Sequence, residues 1–210
     1  MSAATDPTDE ELMARLGEGE ESALEVLLAR HGDRVAAFVR GLVGSTGPID
    51  DLVQETFVRV FRARANYRPT ARFTTWLLTV ARNVARDHVR GKRRKPLPQA
   101  PAAFPGYASG ATSLLGRIPA SVGTPSALVS SGELSGFVQE ALLRLPLEQR
   151  EAILLVEFEG LTLREAGEAV GSNLKTVASR LARGKERLAE LLRPLLRTDV
   201  SPPDGRRQGL

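Results

Sequence analysis

The sequence predicts an all-α protein made of two small helical domains joined by a flexible linker. Apolar residues recur at three- and four-residue intervals in both halves of the 210-residue chain. No run alternates apolar and polar residues for long enough to make a half-buried strand. From Pro96 to about Ser135 the period is lost, charge nearly vanishes, and Pro, Ala, Gly and Ser dominate. A composition of 42% hydrophobic and 26% charged residues suits a soluble globular protein.

The first domain is expected over residues 8–95. Thr8 followed by Glu11 has the form of a capping box, and Leu12, Leu16, Leu24, Leu27 and Leu28 follow at roughly helical intervals, with a break at Gly17 to Gly19. A second apolar set, Val35, Phe38, Val39 and Leu42, stops at Gly44 and Gly47 with Pro48 beyond. Leu52, Val53, Phe57, Val60 and Phe61 share one face of a third helix over 49–65, which Pro69 closes. The fourth spans Phe73 to Lys92, with Phe73, Trp76, Leu77, Val80, Val84 and Val89 toward the core. Trp76 sits at core spacing and is read as structural.

After the linker at 96–135, a second domain is expected over 136–197, with a polar tail at 198–210. Its periodic segments are Phe137–Leu145, Leu147–Phe158, Leu163–Val170 and Leu174 to about Leu196. Thr162 and Glu165 form a second capping box. A short helix, a three-residue turn and a longer helix make a helix-turn-helix. Gly167 allows close helix approach, Gly171 suits a turn needing positive φ, and Val177 returns to the core.

The formal net charge is +4, with the stretch ahead of Asp51 acidic in balance and Arg and Lys crowding residues 82–95 and 175–197. That asymmetry points to a polyanionic partner. The chain has no cysteine, which removes disulfides, zinc knuckles and thiol nucleophiles. His31 and His88 are too far apart to propose a metal, and no phosphate-cradling loop or HExxH pair supports a nucleic-acid enzyme. No cofactor is expected. The start, MSAATDPTDEE, is acidic without an apolar core, so neither a leader nor a membrane span is expected, and the cytoplasm is the expected compartment.

Taken together, DDLVQETFVRVFRA, FTTWLLTVARNVARDHVRGKRR, LLRLPLEQREAILLVEFEGLTLREAGEAVG and TVASRL resemble the extracytoplasmic-function group of the bacterial sigma-70 family. The resemblance implies a dissociable, non-catalytic promoter-specificity subunit of RNA polymerase, with sigma region 2 first and region 4 second. It implies that Asp51, Gln54 and Glu55 dock on core polymerase. It also implies that the fourth helix and the loop before it hold the −10 promoter element as single-stranded DNA. Asn83 matches the position that contacts the bases, with Asp87 shaping the pocket and Asn66 and Tyr67 in the loop that selects the flipped base. Arg82, Arg86, Arg90, Lys92, Arg93 and Arg94 would meet the DNA backbone. In the helix-turn-helix, Lys175, Thr176, Ser179, Arg180, Arg183 and Arg187 face the −35 duplex. An anti-sigma protein is a further implied partner.

The family commonly opens its recognition helix with Gly-Thr-Val-Lys-Ser-Arg; here the run is Lys175-Thr176-Val177-Ala178-Ser179-Arg180. Matched base-reading positions are Ala178, Ser179, Ala182 and Arg183, so direct readout is sparse and duplex shape takes a larger part. The competing reading is an autonomous helix-turn-helix regulator that binds duplex DNA without polymerase.

Overall fold

The computed structural model describes residues 6–91 and 132–196. Eight α-helices occur among the described residues: α1 (Asp9–Gly17), α2 (Ser22–Val43), α3 (Ile49–Ala63), α4 (Phe73–Val89), α5 (Gly132–Leu143), α6 (Leu147–Ile153), α7 (Leu163–Val170) and α8 (Leu174–Leu196). No strand is present among these residues. Most of the expected linker and the tail at 198–210 lie outside them, but α5 begins at Gly132, inside the stretch expected as linker.

Helices α1 to α4 form one unit. The Thr8 hydroxyl accepts from the Glu11 amide at 3.2 Å while the Glu11 carboxylate accepts from the Thr8 amide at 2.8 Å, so the first capping box is reciprocal. Leu24 and Leu27 belong with Val35 and Phe38 on one long α2, because the break at Gly17 to Gly19 falls earlier than they do. Glu10 of α1 reaches across to accept the Phe73 amide at 3.0 Å, capping the start of α4 from another helix. Phe38, Phe57 and Phe73 are fully buried where the helices meet, each contributing about 1.5–3 kcal/mol of transfer free energy. Val89, expected in the core, is 45% exposed at the end of α4.

Helices α5 to α8 form the second unit. The expected single helix over 147–158 is α6 followed by a wide π-helical turn, Leu154–Phe158, in which the Glu159 amide reaches back to the Leu154 carbonyl at 2.9 Å. Ile153 and Leu155 stay buried through it.

The two units share one hydrophobic core. Leu154 packs so closely on α2 that a Cβ on Gly41 would lie 2.7 Å from its Cδ2. Carbonyls at the C-terminal end of α2 also accept from the second unit: the Gln139 amide donates at 2.6 Å to Arg40 O, which already takes the Gly44 amide at 2.9 Å, and the Arg150 guanidinium donates to Leu42 O.

Candidate nucleic-acid interface

On α3, Asp51 is exposed and Gln54 and Glu55 are half-buried. The Glu55 carboxylate accepts from Arg59 Nε at 2.9 Å, and Arg59 Nη1 lies 3.4 Å from Asp87 on α4. One guanidinium therefore joins an expected docking residue to an expected strand-pocket residue. Arg59 went unnoticed in the sequence because its i,i+4 partner explains it locally.

Asn83 is exposed on α4, one turn before Asp87, and its Oδ1 accepts from Arg82 Nη1 at 3.3 Å. Asn66 is exposed in the 3-10 turn Arg64–Asn66. Tyr67 is half-buried, edge-on to Trp76 at 4.9 Å and near Phe73 at 6.3 Å, with its hydroxyl buried and unpartnered. Burial first, and then the carboxylates of Glu10 and Asp9, raise the Tyr67 pKa, so the phenol stays protonated. Trp76 completes this aromatic cluster at 5.9 Å from Phe73, in keeping with a structural role.

The cations of α4 divide by position. Arg90 is exposed, and Lys92, Arg93 and Arg94 lie outside the described residues. Arg82 is only 5% exposed, its Nη2 donating to Glu151 of α6 at 3.0 Å. Arg86 donates to Glu148 at 2.9 Å and stands 3.5 Å from Glu151. In this arrangement Arg82 and Arg86 face the second unit and not solvent.

The helix-turn-helix follows from local chemistry. The Thr162 hydroxyl and the Glu165 carboxylate cap α7 reciprocally. The backbone hydrogen bond from Thr162, then its hydroxyl, hold the Glu165 carboxyl below its ordinary range. Gly171 ends α7 in the left-handed region at φ 65°, and a Cβ on Gly167 would stand 2.8 Å from Ser172 O, so the turn needs both glycines. The Asn173 side chain accepts the Thr176 amide at 2.8 Å, a cap for α8 that the sequence reading overlooked. Val177 is buried, which sets the rotation of α8: Lys175, Ser179, Arg183 and Arg187 are exposed, and Thr176 and Arg180 half-buried. Arg180 donates to Ser172 Oγ at 3.3 Å. Lys175 opposes the α8 dipole at a cost of roughly 0.3–1 kcal/mol, while the same position strengthens an anion site at that helix start.

Residues 27–95 match the family model for Sigma-70 region 2, and residues 138–188 match that for Sigma-70, region 4. The ECF RNA polymerase sigma-E factor of Escherichia coli (strain K12) is 30% identical over 190 residues, covering 90% of this chain and 97% of that protein. This chain belongs to the extracytoplasmic-function group of sigma-70 factors. It is an RNA polymerase sigma factor with a region 2 and a region 4 domain. RNA polymerase sigma factor CarQ of Myxococcus xanthus is 35% identical over 180 residues, covering 86% of this chain and 95% of its own. ECF RNA polymerase sigma factor SigE of Mycolicibacterium smegmatis is 34% identical over 177 residues, and the match spans 83% of this chain but 64% of that longer protein. Among solved structures, CnrH in complex with the cytosolic domain of CnrY matches with a TM-score of 0.60 and 26% identity, over 91% of this chain and 99% of that one. The sigma factor RpoE of Bartonella quintana, in complex with the anti-sigma factor NepR, matches with a TM-score of 0.58 and 25% identity, over 79% and 94%. The autonomous-regulator reading is not favoured, since region 2 accounts for the helices it left without a role.

Among the described residues no helix is long and apolar enough to cross a membrane.

Proposed function

We propose that this sigma factor binds core polymerase through Asp51, Gln54 and Glu55, and that it holds the −10 strand on α4 and the turn before it. Asn83, with Asp87, Asn66 and Tyr67, reads the extruded bases. Arg82, Arg86, Arg90, Lys92, Arg93 and Arg94 neutralise the strand's phosphates. Lys175, Thr176, Ser179, Arg180, Arg183 and Arg187 of α8 engage the −35 duplex. The chain acts in the cytoplasm as a non-catalytic specificity subunit, and an anti-sigma protein restrains it. The observation that carries this reading is the occurrence of both modules in order, with Asn83 exposed on the first and Arg183 on the second. An inhibitor is supported by the related RpoE, whose structure holds the anti-sigma factor NepR.

The direct test is run-off transcription with bacterial core polymerase on upstream fragments of the chain's own genome. Defined start sites that need the protein are the expected result. Tight sequence-specific duplex binding without any start site would reverse the reading.

A further inference from the structure

The first turn of α1 carries three carboxylates, and each has a different partner. Glu11 closes the cap of α1 itself through Thr8. Asp9 fastens α1 to α2, with Oδ1 3.0 Å from Arg30 Nη1 and Oδ2 2.7 Å from His31 Nε2. Glu10 crosses to α4 and accepts the Phe73 amide at 3.0 Å. That amide is one of the donors a helix start leaves unpaired, and Arg72 at the cap supplies no side-chain hydrogen bond. A carboxylate there also complements the positive end of the helix dipole. The opposite end of α1 lies against the same connection: a Cβ on Gly17 would stand 3.3 Å from the Arg64 carbonyl. So α1 meets the segment between α3 and α4 at both Arg64 and Phe73, with Asn66 and Tyr67 between them. Leu12, Met13 and Leu16 are buried, which seats α1 on the bundle without help from Glu10. The Glu10 carboxylate also acts on Tyr67: after burial, it is the larger of the two charges that keep that phenol protonated.

We propose that Glu10 is a positioning residue for promoter opening: it fixes the start of α4 from another helix, and so holds Asn66 and Tyr67 where an extruded −10 base meets them. This rests on the reading of the turn between α3 and α4 as the base-selecting loop. Glu10 itself touches no nucleotide. Its hydrogen bond fixes where the connection ends, and the Phe73 ring, 5.3 Å from His31 and 6.3 Å from Tyr67, passes that placement to the phenol. An extruded base recovers its unstacking cost only from contacts already in place. A loosened turn therefore impairs opening while duplex binding by the second domain is unaffected.

The test uses the full chain with core polymerase on a promoter mapped by the run-off assay. Glu10→Ala removes the bond, and Glu10→Gln keeps an acceptor oxygen in its place. Glu11→Ala opens the cap of α1 but leaves the Phe73 amide its partner, so it controls for the stability of α1. Asn66→Ala, at an exposed position, tests the turn by itself. Permanganate reactivity reads the melted strand, and gel shift reads the closed complex. Fluorescence of Trp76, the single tryptophan, reads the aromatic cluster of the free chain, since Tyr67 lies 4.9 Å from it. Glu10→Ala should lower strand reactivity by about tenfold, the scale of one lost hydrogen bond to a charged group. It should also shift Trp76 emission and leave the closed complex unchanged. Glu10→Gln should restore most of the reactivity, and Glu11→Ala should match the parent in all three readings. Equal loss of melting in Glu10→Ala and Glu11→Ala would overturn the proposal, because α1 would then serve only the fold. Melting lost in Glu10→Ala without a Trp76 shift, or not restored by Glu10→Gln, overturns it too, since neither the cluster nor the hydrogen bond would carry the effect. Normal melting in Glu10→Ala beside impaired melting in Asn66→Ala overturns the role of Glu10 and leaves the reading of the turn standing. Normal melting in Asn66→Ala overturns the reading of the turn, and the proposal with it.

Discussion

Arg59 of α3 holds Glu55 at 2.9 Å and reaches Asp87 of α4 at 3.4 Å. It ties α3, the helix proposed to dock on polymerase, to α4, the helix proposed to hold the strand, at one half-exposed point. Exposed pairs contribute only about 0.2–1 kcal/mol, so Arg59→Ala should cost less than about 1 kcal/mol in urea unfolding. Transcription should fall by more than that loss of stability explains, because two side chains assigned to function lose their common anchor. Equal losses in both assays would make Arg59 merely structural.

Asn83→Ala should leave closed-complex formation nearly intact and impair promoter opening. Unstacking costs a few kcal/mol per base, and that energy must be recovered by contacts to the extruded base. Permanganate reactivity of the melted strand, compared with gel-shift binding of the closed complex, separates the two steps.

Arg183→Ala should weaken recognition of the preferred −35 sequence by roughly 1–3 kcal/mol. The loss should be concentrated on one base pair of the element. A uniform loss across sequences would make Arg183 a phosphate contact.

Arg150 is buried and donates to the carbonyls of Leu42, Leu142, Leu143 and Leu145. Burial lowers its pKa, and Glu151 opposes that shift. Arg150→Ala leaves several carbonyls unpaired and should destabilise the fold by about 3–5 kcal/mol. Arg150→Lys should rescue little, since an ammonium cannot span the same fork of acceptors. Chemical denaturation of the two variants reads both effects.

The two displaced glutamates give opposite pH dependences. Glu165 has a lowered pKa, so its stabilising contribution is present above about pH 4.5, the ordinary glutamate value, and is lost as pH falls through the folded value. Glu159 has a raised pKa because burial outweighs Arg34. Its contribution is therefore fully present below about pH 4.5 and is lost as pH rises through the folded value. Thr162→Ala should cost about 1 kcal/mol at neutral pH, with the difference from the parent shrinking as pH falls below about 4.5. Thermal melts of both proteins across that range provide the measurement.

Local rules were legible in the sequence where the chemistry is local. Both capping boxes, the Gly167 and Gly171 turn and the buried Val177 follow from spacing alone. Val89 was misread because its three- and four-residue register continues past the point where α2 and α3 cover α4. The start of α5 at Gly132 was hidden by a Gly- and Ser-containing segment with weak periodicity. The contact between domains was invisible for a different reason. Arg82 and Arg86 have their partners more than sixty residues away. A run of arginines looks the same in sequence whether it faces phosphate or glutamate.

The wide turn at Leu154–Phe158 acts as a phase shifter. By accommodating an additional residue within the helical path, it sets Leu154 against Gly41 and still brings Glu159 to Arg34. Winding the same residues as a regular α-helix would turn everything downstream by roughly one further residue's worth of rotation, about 100°. The chain would keep its helices but lose their mutual alignment, so this short segment works as the timing element that lets one domain fit the other.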